Sequence, residues 1–345
     1  MVAFAFVGVV VGAGFATGQE IFQFFTSNGI YSISGIIVTG LIITLAGVFV
    51  LNTGFVIQSH NHSESIRYYL HPIIARIFDI ILTLFLFSLA MIMTAGGAST
   101  IHESFGLPYW LSSLILVLVI LMTLFLKFER LITVLGMVTP FLVIVVSIIA
   151  IYYFITGDLN FSAANRFNKQ HQSLSLGWWF DGLNYASLQI AAAFSFLSVM
   201  GGRMQHRQSG LWGGLLGGII ITLLLLMINL GLVTEFEHIQ SVALPTLLLA
   251  SHISPLLGTV MSIIMVLVIY NTIVGLMYAF ASRFTEPFSK GYFVLIIIMA
   301  IITFICTFIG FISLIGKVFP IMGLFGFILL IPILYQGFKH LVFSK

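Results

Sequence analysis

Residues 8–20 read GVVVGAGFATGQE and lie inside the first long apolar run of the chain. Gly8, Gly12, Gly14 and Gly18 recur through it, with Thr17, Gln19 and the carboxylate of Glu20. A helix that faces lipid has no use for this set. Each glycine weakens a helix by about 1 kcal/mol. In lipid an unpaired backbone group costs several kcal/mol unless protein or a polar cavity covers it. The pattern predicts a first membrane helix broken near Gly12–Ala13–Gly14, whose free N–H and C=O groups hold a small charged substrate at mid-membrane. Close helix packing through small residues accounts for the same glycines, so the rest of the chain has to decide.

Ionisable groups inside a membrane are functional candidates by default. Glu20 lies six residues past Gly14, about 9 Å further out along a helix. It fits a proton carrier, a gate, a contact for a substrate amine, or an ion pair at the outer rim. Asp79, close to Arg76 at the inner end of span three, fits an inner gate or a structural ion pair. Lys317, about one and a half turns into the last span, snorkels outward or pairs with Glu20 across an outer gate. Tyr270–Asn271–Thr272 is a polar cluster in the middle of an apolar run. Its oxygens suit a hard cation; alternatively the Asn271 amide joins two helices for about 0.6–2 kcal/mol.

The nine histidines fall mostly in polar connections without ligand spacing, so no metal site is expected. There is no nucleophile elbow, P-loop or HExxH motif. An enzyme is therefore not expected, and energy has to come from an ion gradient or from the substrate's own gradient.

These residues need a scaffold, and composition names its class. The 345 residues are 60% hydrophobic and only 7% charged, against about 25% charged in ordinary soluble domains. Mean hydropathy is +1.18. The chain is expected to be an all-α polytopic membrane protein. A net charge of +3 gives a nucleic-acid partner no electrostatic support. The single cysteine, Cys306, excludes an intramolecular disulfide. No cleavable signal peptide is seen. Only about 16 Å of helix precedes Gly12, with no Lys or Arg, so a short basic segment ahead of Met1 is expected.

Ten spans are expected, at roughly 1–25, 30–57, 73–101, 108–127, 131–155, 183–202, 209–234, 256–282, 289–309 and 312–337. Connection 157–182 is long and polar, and it ends in the interfacial pair Trp178–Trp179. Connection 235–255 turns apolar after Glu235 and Glu237, as a short helix lying over the protein would. With the N-terminus inside, the inner side holds Arg67, Arg76, Lys127, Arg130, Arg203, Arg207, Arg283, Lys290, Lys339 and Lys345. The outer side holds only Arg166 and Lys169, which is a clear positive-inside pattern.

The chain also repeats itself. A shift of 183 residues lays Pro72, Ala98, Ser99, Glu103 and Tyr109 on Pro255, Ala281, Ser282, Glu286 and Tyr292, and Phe128, Leu131 and Ile132 on Phe311, Leu314 and Ile315. A shift of 178 lays Gly35, Gly40 and Thr44 on Gly213, Gly218 and Thr222. Five spans followed by a copy of five give an inverted repeat, the plan of secondary transporters. The expected organisation is a first repeat at 1–155, an extracellular connection at 156–182, a second repeat at 183–338 and a cytoplasmic tail at 339–345. Span six, the counterpart of span one, carries Asn184, Ser187, Gln189, Ser195, Ser198, Gly201 and Gly202. Its position in the repeat predicts a second break near Ser195–Ser198.

GAGFATGQE followed by Phe24–Phe25, in a ten-span chain of this length, resembles a family of bacterial membrane proteins of the Bacillus YkvI type, classed as amino-acid permeases. That family sits within the amino acid–polyamine–organocation superfamily, whose fold is the five-plus-five repeat of the leucine transporter, with helices 1 and 6 discontinuous. The resemblance implies transport. It implies that amides from Ala13 to Phe15 take a substrate carboxylate at the unwound Gly12–Ala13–Gly14 turn. The substrate ammonium is then expected at free carbonyls near Gly8–Val9 and Phe194–Phe196, around Ser195, with Phe194 and Phe196 capping the pocket. It also implies a sodium ion between the Gly8 and Val11 carbonyls, the Val268 carbonyl, Asn271 and Thr272. Asn271 departs from the hydroxyl residue usual there.

The expected function is a symporter of a small neutral amino acid or related amine in the bacterial cell membrane, with both termini cytoplasmic. Sodium or a proton is the expected coupling ion. A ligand sensor on the same fold, binding without turnover, is the alternative.

Overall fold

Apolar segments that cannot reach water must pair their own amides and carbonyls, and a helix does this within one segment. The computed structural model is accordingly built of helices, with no strand among the described residues. It describes all residues except 1, 60–61, 126–137, 158, 160, 172–175, 287 and 344–345. Lys127, Arg130, Lys345 and the repeat matches Phe128, Leu131 and Ile132 therefore lie outside the described residues, as does the expected start of span five.

Span one is three pieces, α1 (Val2–Val10), α2 (Ala13–Thr17) and α3 (Gln19–Phe24). Then follow α4 (Tyr31–Ile57), the short α5 (His62–Tyr69), α6 (Pro72–Phe105), α7 (Tyr109–Phe125) and α8 (Val138–Thr156). The second half holds α9 (Ser162–His171), α10 (Trp178–Gly202), α11 (Arg207–Thr234), the short α12 (Phe236–Ile239) and α13 (Pro245–Ile253), α14 (Pro255–Phe284), α15 (Lys290–Thr307) and α16 (Phe311–Phe343). Seven of these helices are long and apolar enough to cross a membrane, and α7 and α8 are shorter apolar ones. The repeat-related prolines Pro72 and Pro255 each open their helix, where a missing N–H costs nothing.

Two groups of helices form. α1, α4, α10 and α11 pack together, as do α6, α7, α14 and α15, while α16 lies along α10. Between α4 and α11 the two halves meet reciprocally. A Cβ on Gly40 would overlap Thr222 Oγ1, and one on Gly218 would overlap Thr44 Oγ1. Each threonine hydroxyl donates back to the glycine carbonyl one turn earlier in its own helix. The residues related by a shift of 178 thus face one another across a local two-fold. An inverted repeat produces this arrangement, and glycine is needed for the close approach.

Span six does not break. α10 runs uninterrupted from Trp178 to Gly202, which overturns the expected interruption near Ser195–Ser198. Ala191–Ala192–Ala193 favours helix strongly, and no glycine or proline lies between Gly182 and Gly201. Several of its polar side chains find partners on other elements: Asn184 Nδ2 donates to Pro320 O at 3.2 Å and Ser187 Oγ to Gly323 O at 2.7 Å. Ser198 joins Ser59 and Ser65 in a buried hydroxyl cluster.

Candidate functional site

The break in span one lies where the glycines predict it. The Gly12 amide donates to Val10 O at 2.9 Å instead of reaching Gly8 O, so α1 ends and the Gly8 carbonyl loses its helical donor. The chain passes through Gly12 in extended conformation and restarts as α2. The Gly14 and Phe15 amides, in the first turn of the new segment, have no backbone acceptor among the described residues. α2 lasts five residues and ends at Gly18, whose φ of +75° is left-handed. A side chain at Gly18 would also meet Thr246 Cγ2 at 2.7 Å.

The kink at Gly18 returns Glu20 to the break. Glu20 Oε1 occupies the position that a Cβ on Gly14 would take. Gly14 is glycine because a carboxylate fills that space. Glu20 is only 5% exposed, and its Oε2 accepts from Tyr185 Oη and Gln189 Nε2 of α10, each at 3.3 Å. The straight-helix rise of about 9 Å from Gly14 does not hold, and with it goes one of the readings of Glu20, the ion pair at the outer rim. The Lys317–Glu20 pair fails with it: Lys317 is exposed on α16 while Glu20 is turned inward.

A cavity of about 70 Å³ opens beside the break. Val9, Gly12, Gly14 and Phe15 form one wall with Glu20. Across from them stand Phe85, Leu89 and Met93 of α6, at one-turn spacing, and Leu188, Gln189 and Ala192 of α10. Thr272 of α14 and Phe319 of α16 complete it. Phe194, expected as a cap, is fully buried against Tyr69 of α5, with ring centroids 6.1 Å apart. It sits about 200° round an unbroken helix from Ala192. Phe196 is 43% exposed and does not wall this cavity.

Ser195 lines a second void of about 260 Å³, bounded by Leu82, Phe85 and Leu86 of α6 and by Ala279, Ser282 and Arg283 of α14. Phe85 and Ala192 border both voids. Arg283 Nη1 donates to Asp79 Oδ1 at 3.0 Å and to Asp79 O at 3.1 Å. Asp79 thus pairs with Arg283 of span eight, while its sequence neighbour Arg76 is exposed. Beyond the pair lies a groove of about 450 Å³ edged by Ser63, Arg67, Arg76 and Asp79. The groove also takes in Ile66, so three of its lining residues belong to α5. Helix α13 packs on α2 and α3, and the Thr246 hydroxyl donates to Ala16 O. That helix is the short one expected over 235–255.

Of the atoms expected around a sodium ion, Thr272 reaches the cavity, and α14 packs on α2. The Thr272 hydroxyl donates to Val268 O at 2.9 Å. Val11 and Val268 are buried, and Gly8 and Asn271 are half-buried. The described residues gather no group of three or more His, Cys, Asp or Glu side chains that could hold a metal ion.

Sequence reasoning missed Tyr185 as a partner of Glu20, and the roles of Phe85, Leu89, Met93 and Phe319. Tyr185 and Gln189, four apart on one helix face, were the available signal for the first. The others read as ordinary core.

No protein-family profile matches the chain. It is 24% identical over 333 residues to the uncharacterized protein YyaD of Bacillus subtilis, covering 95% of this chain and 93% of that protein. It is 26% identical over 327 residues to the uncharacterized membrane protein YkvI of the same organism, covering 93% and 91%. Among solved structures it is similar to a manganese transporter of Eremococcus coleocola in complex with an aromatic bis-isothiourea substituted compound, with a TM-score of 0.60, 15% identity and coverage of 100% and 88%. A single-site mutant of that transporter gives a TM-score of 0.56 at 16% identity, covering 98% and 77%. The likeness is one of fold. The chain is an all-α polytopic membrane protein with a leucine-transporter-like architecture.

Proposed function

We propose that the protein is a secondary transporter of the bacterial cell membrane that moves a small neutral amino acid or related amine by alternating access. Its termini are cytoplasmic, and its halves are the repeats 1–155 and 183–338. One observation carries the reading. A helix opened at Gly12 presents backbone groups without partners among the described residues, and a buried carboxylate, to the cavity beside it. Backbone of this kind survives in lipid only where protein buries it or where it lines such a cavity. The substrate sits against the break in span one and against side chains, rather than backbone, of span six.

The Asp79–Arg283 pair is the inner gate, and the groove beyond it is the route to the cytoplasm. Coupling uses either sodium or a proton. Sodium would take the Gly8 and Val11 carbonyls, Val268 O, Asn271 and the lone pairs that Thr272 retains while donating. A proton would use Glu20. The manganese of the structural neighbour is less well matched here, since one carboxylate is a poor ligand set for a transition metal.

Counterflow in proteoliposomes tests the reading, with Gly12→Leu as the control. A Cβ on Gly12 meets nothing closer than Val9 O at 3.9 Å, so leucine fills the cavity without straining the backbone. Labelled substrate should exchange in the wild type and not in Gly12→Leu. Ligand binding without any exchange would make the protein a sensor.

A further inference from the structure

A break with free amides is equipped to take a carboxylate. Here a carboxylate of the chain itself already stands beside those amides: Glu20 Oε1 fills the place of a Cβ on Gly14, whose amide lacks a backbone acceptor among the described residues. A second anion at Gly14 or Phe15 would lie a few ångströms from the first. Like charges that close in a dry site repel by several kcal/mol.

Glu20 has the opposite need. Among the described residues no Lys, Arg or His pairs with it, and its partners Tyr185 and Gln189 are neutral donors. Both reach Oε2, and among the described residues no side-chain donor reaches Oε1. A buried carboxylate left without a cation is costly. The rest of the wall is apolar apart from Thr272, whose hydroxyl keeps lone pairs for a donor.

Resting on the transporter reading above, we infer that the substrate is a small organic monocation, an amine with an apolar tail and no carboxylate, and that Glu20 selects it. The ammonium meets Glu20 Oε1 and the Thr272 hydroxyl. The tail lies against Leu89, Met93 and Phe319. One carboxylate matches one positive charge, so a diamine would press its second charge on apolar walls.

The test is thermal unfolding of the full-length protein in nanodiscs. The ligands are n-butylamine and phenethylamine, and the amino acids that add only a carboxylate to each, norvaline and phenylalanine. Binding to the folded state raises the midpoint saturably. Both amines should do so at concentrations at least about tenfold below their amino acids. Gly12→Leu and Glu20→Gln should each abolish the amine effect. If the amino acids bind the wild type as well as the amines do, and Gly12→Leu removes their binding while Glu20→Gln does not, the monocation is overturned and the site at the break stands. Amine binding undiminished in Gly12→Leu overturns the inference and the site together. So does the absence of a shift from all four ligands. Should Glu20→Gln fail to fold, the wild-type comparison of each amine with its amino acid still decides.

Discussion

Spans one and six are counterparts in the two halves, yet one is broken and the other is not. Span one has Gly12, Gly14 and Gly18 within seven residues, and its freed groups face a cavity and a returning carboxylate. Span six is as polar, but its middle is Ala191–Ala192–Ala193, and Asn184, Ser187 and Gln189 find partners on other elements. Polar residues within a membrane helix call for partners; they do not by themselves open it. Glycine lowers the cost of opening, and the neighbours decide whether the opened backbone is tolerated. The contributions to the site differ accordingly: the first half supplies opened backbone together with Glu20 and the apolar face of α6, and the second supplies side chains alone.

The largest effect should come from Gly14→Ala. Its methyl group would lie where Glu20 Oε1 stands, so the carboxylate must leave the break. Ligand binding should vanish in a thermal-shift titration while helical content by circular dichroism is unchanged. In span six, Ala192→Gly should cost about 1 kcal/mol of stability and leave binding measurable. If that change also abolished binding with the helix intact, the contrast between the spans would be wrong.

Gly18→Ala comes next. It forces a side chain into left-handed backbone and against Thr246, with an expected loss of about 1–2 kcal/mol, read as a lower unfolding midpoint. Gln189→Leu should weaken binding about tenfold by removing one donor from Glu20; a conserved affinity would show that span six does not position the carboxylate. Alanine at both Asn271 and Thr272 should abolish any stabilisation by sodium, and an unchanged sodium response would leave proton coupling through Glu20. The smallest effect belongs to the exposed clasp in which Glu235 Oε2 accepts from His238 and His252 Nδ1 at 3.0 and 3.3 Å. His252→Ala should cost under about 1 kcal/mol and leave affinity within twofold.

From its residues alone the chain declared itself a membrane protein with ten apolar runs, an inverted repeat and one glycine-rich weak point. Apolar length, glycine spacing and repeated letters are local properties that need no partner to be read. Where Glu20 points and which charge answers Asp79 were settled only by packing, which also holds closed a span six that Ala191–Ala192–Ala193 already favours as helix. A left-handed turn at Gly18 reverses a straight-helix estimate, Arg283 reaches Asp79 from 204 residues away, and partners on other helices keep α10 whole. Each depends on what stands opposite in space.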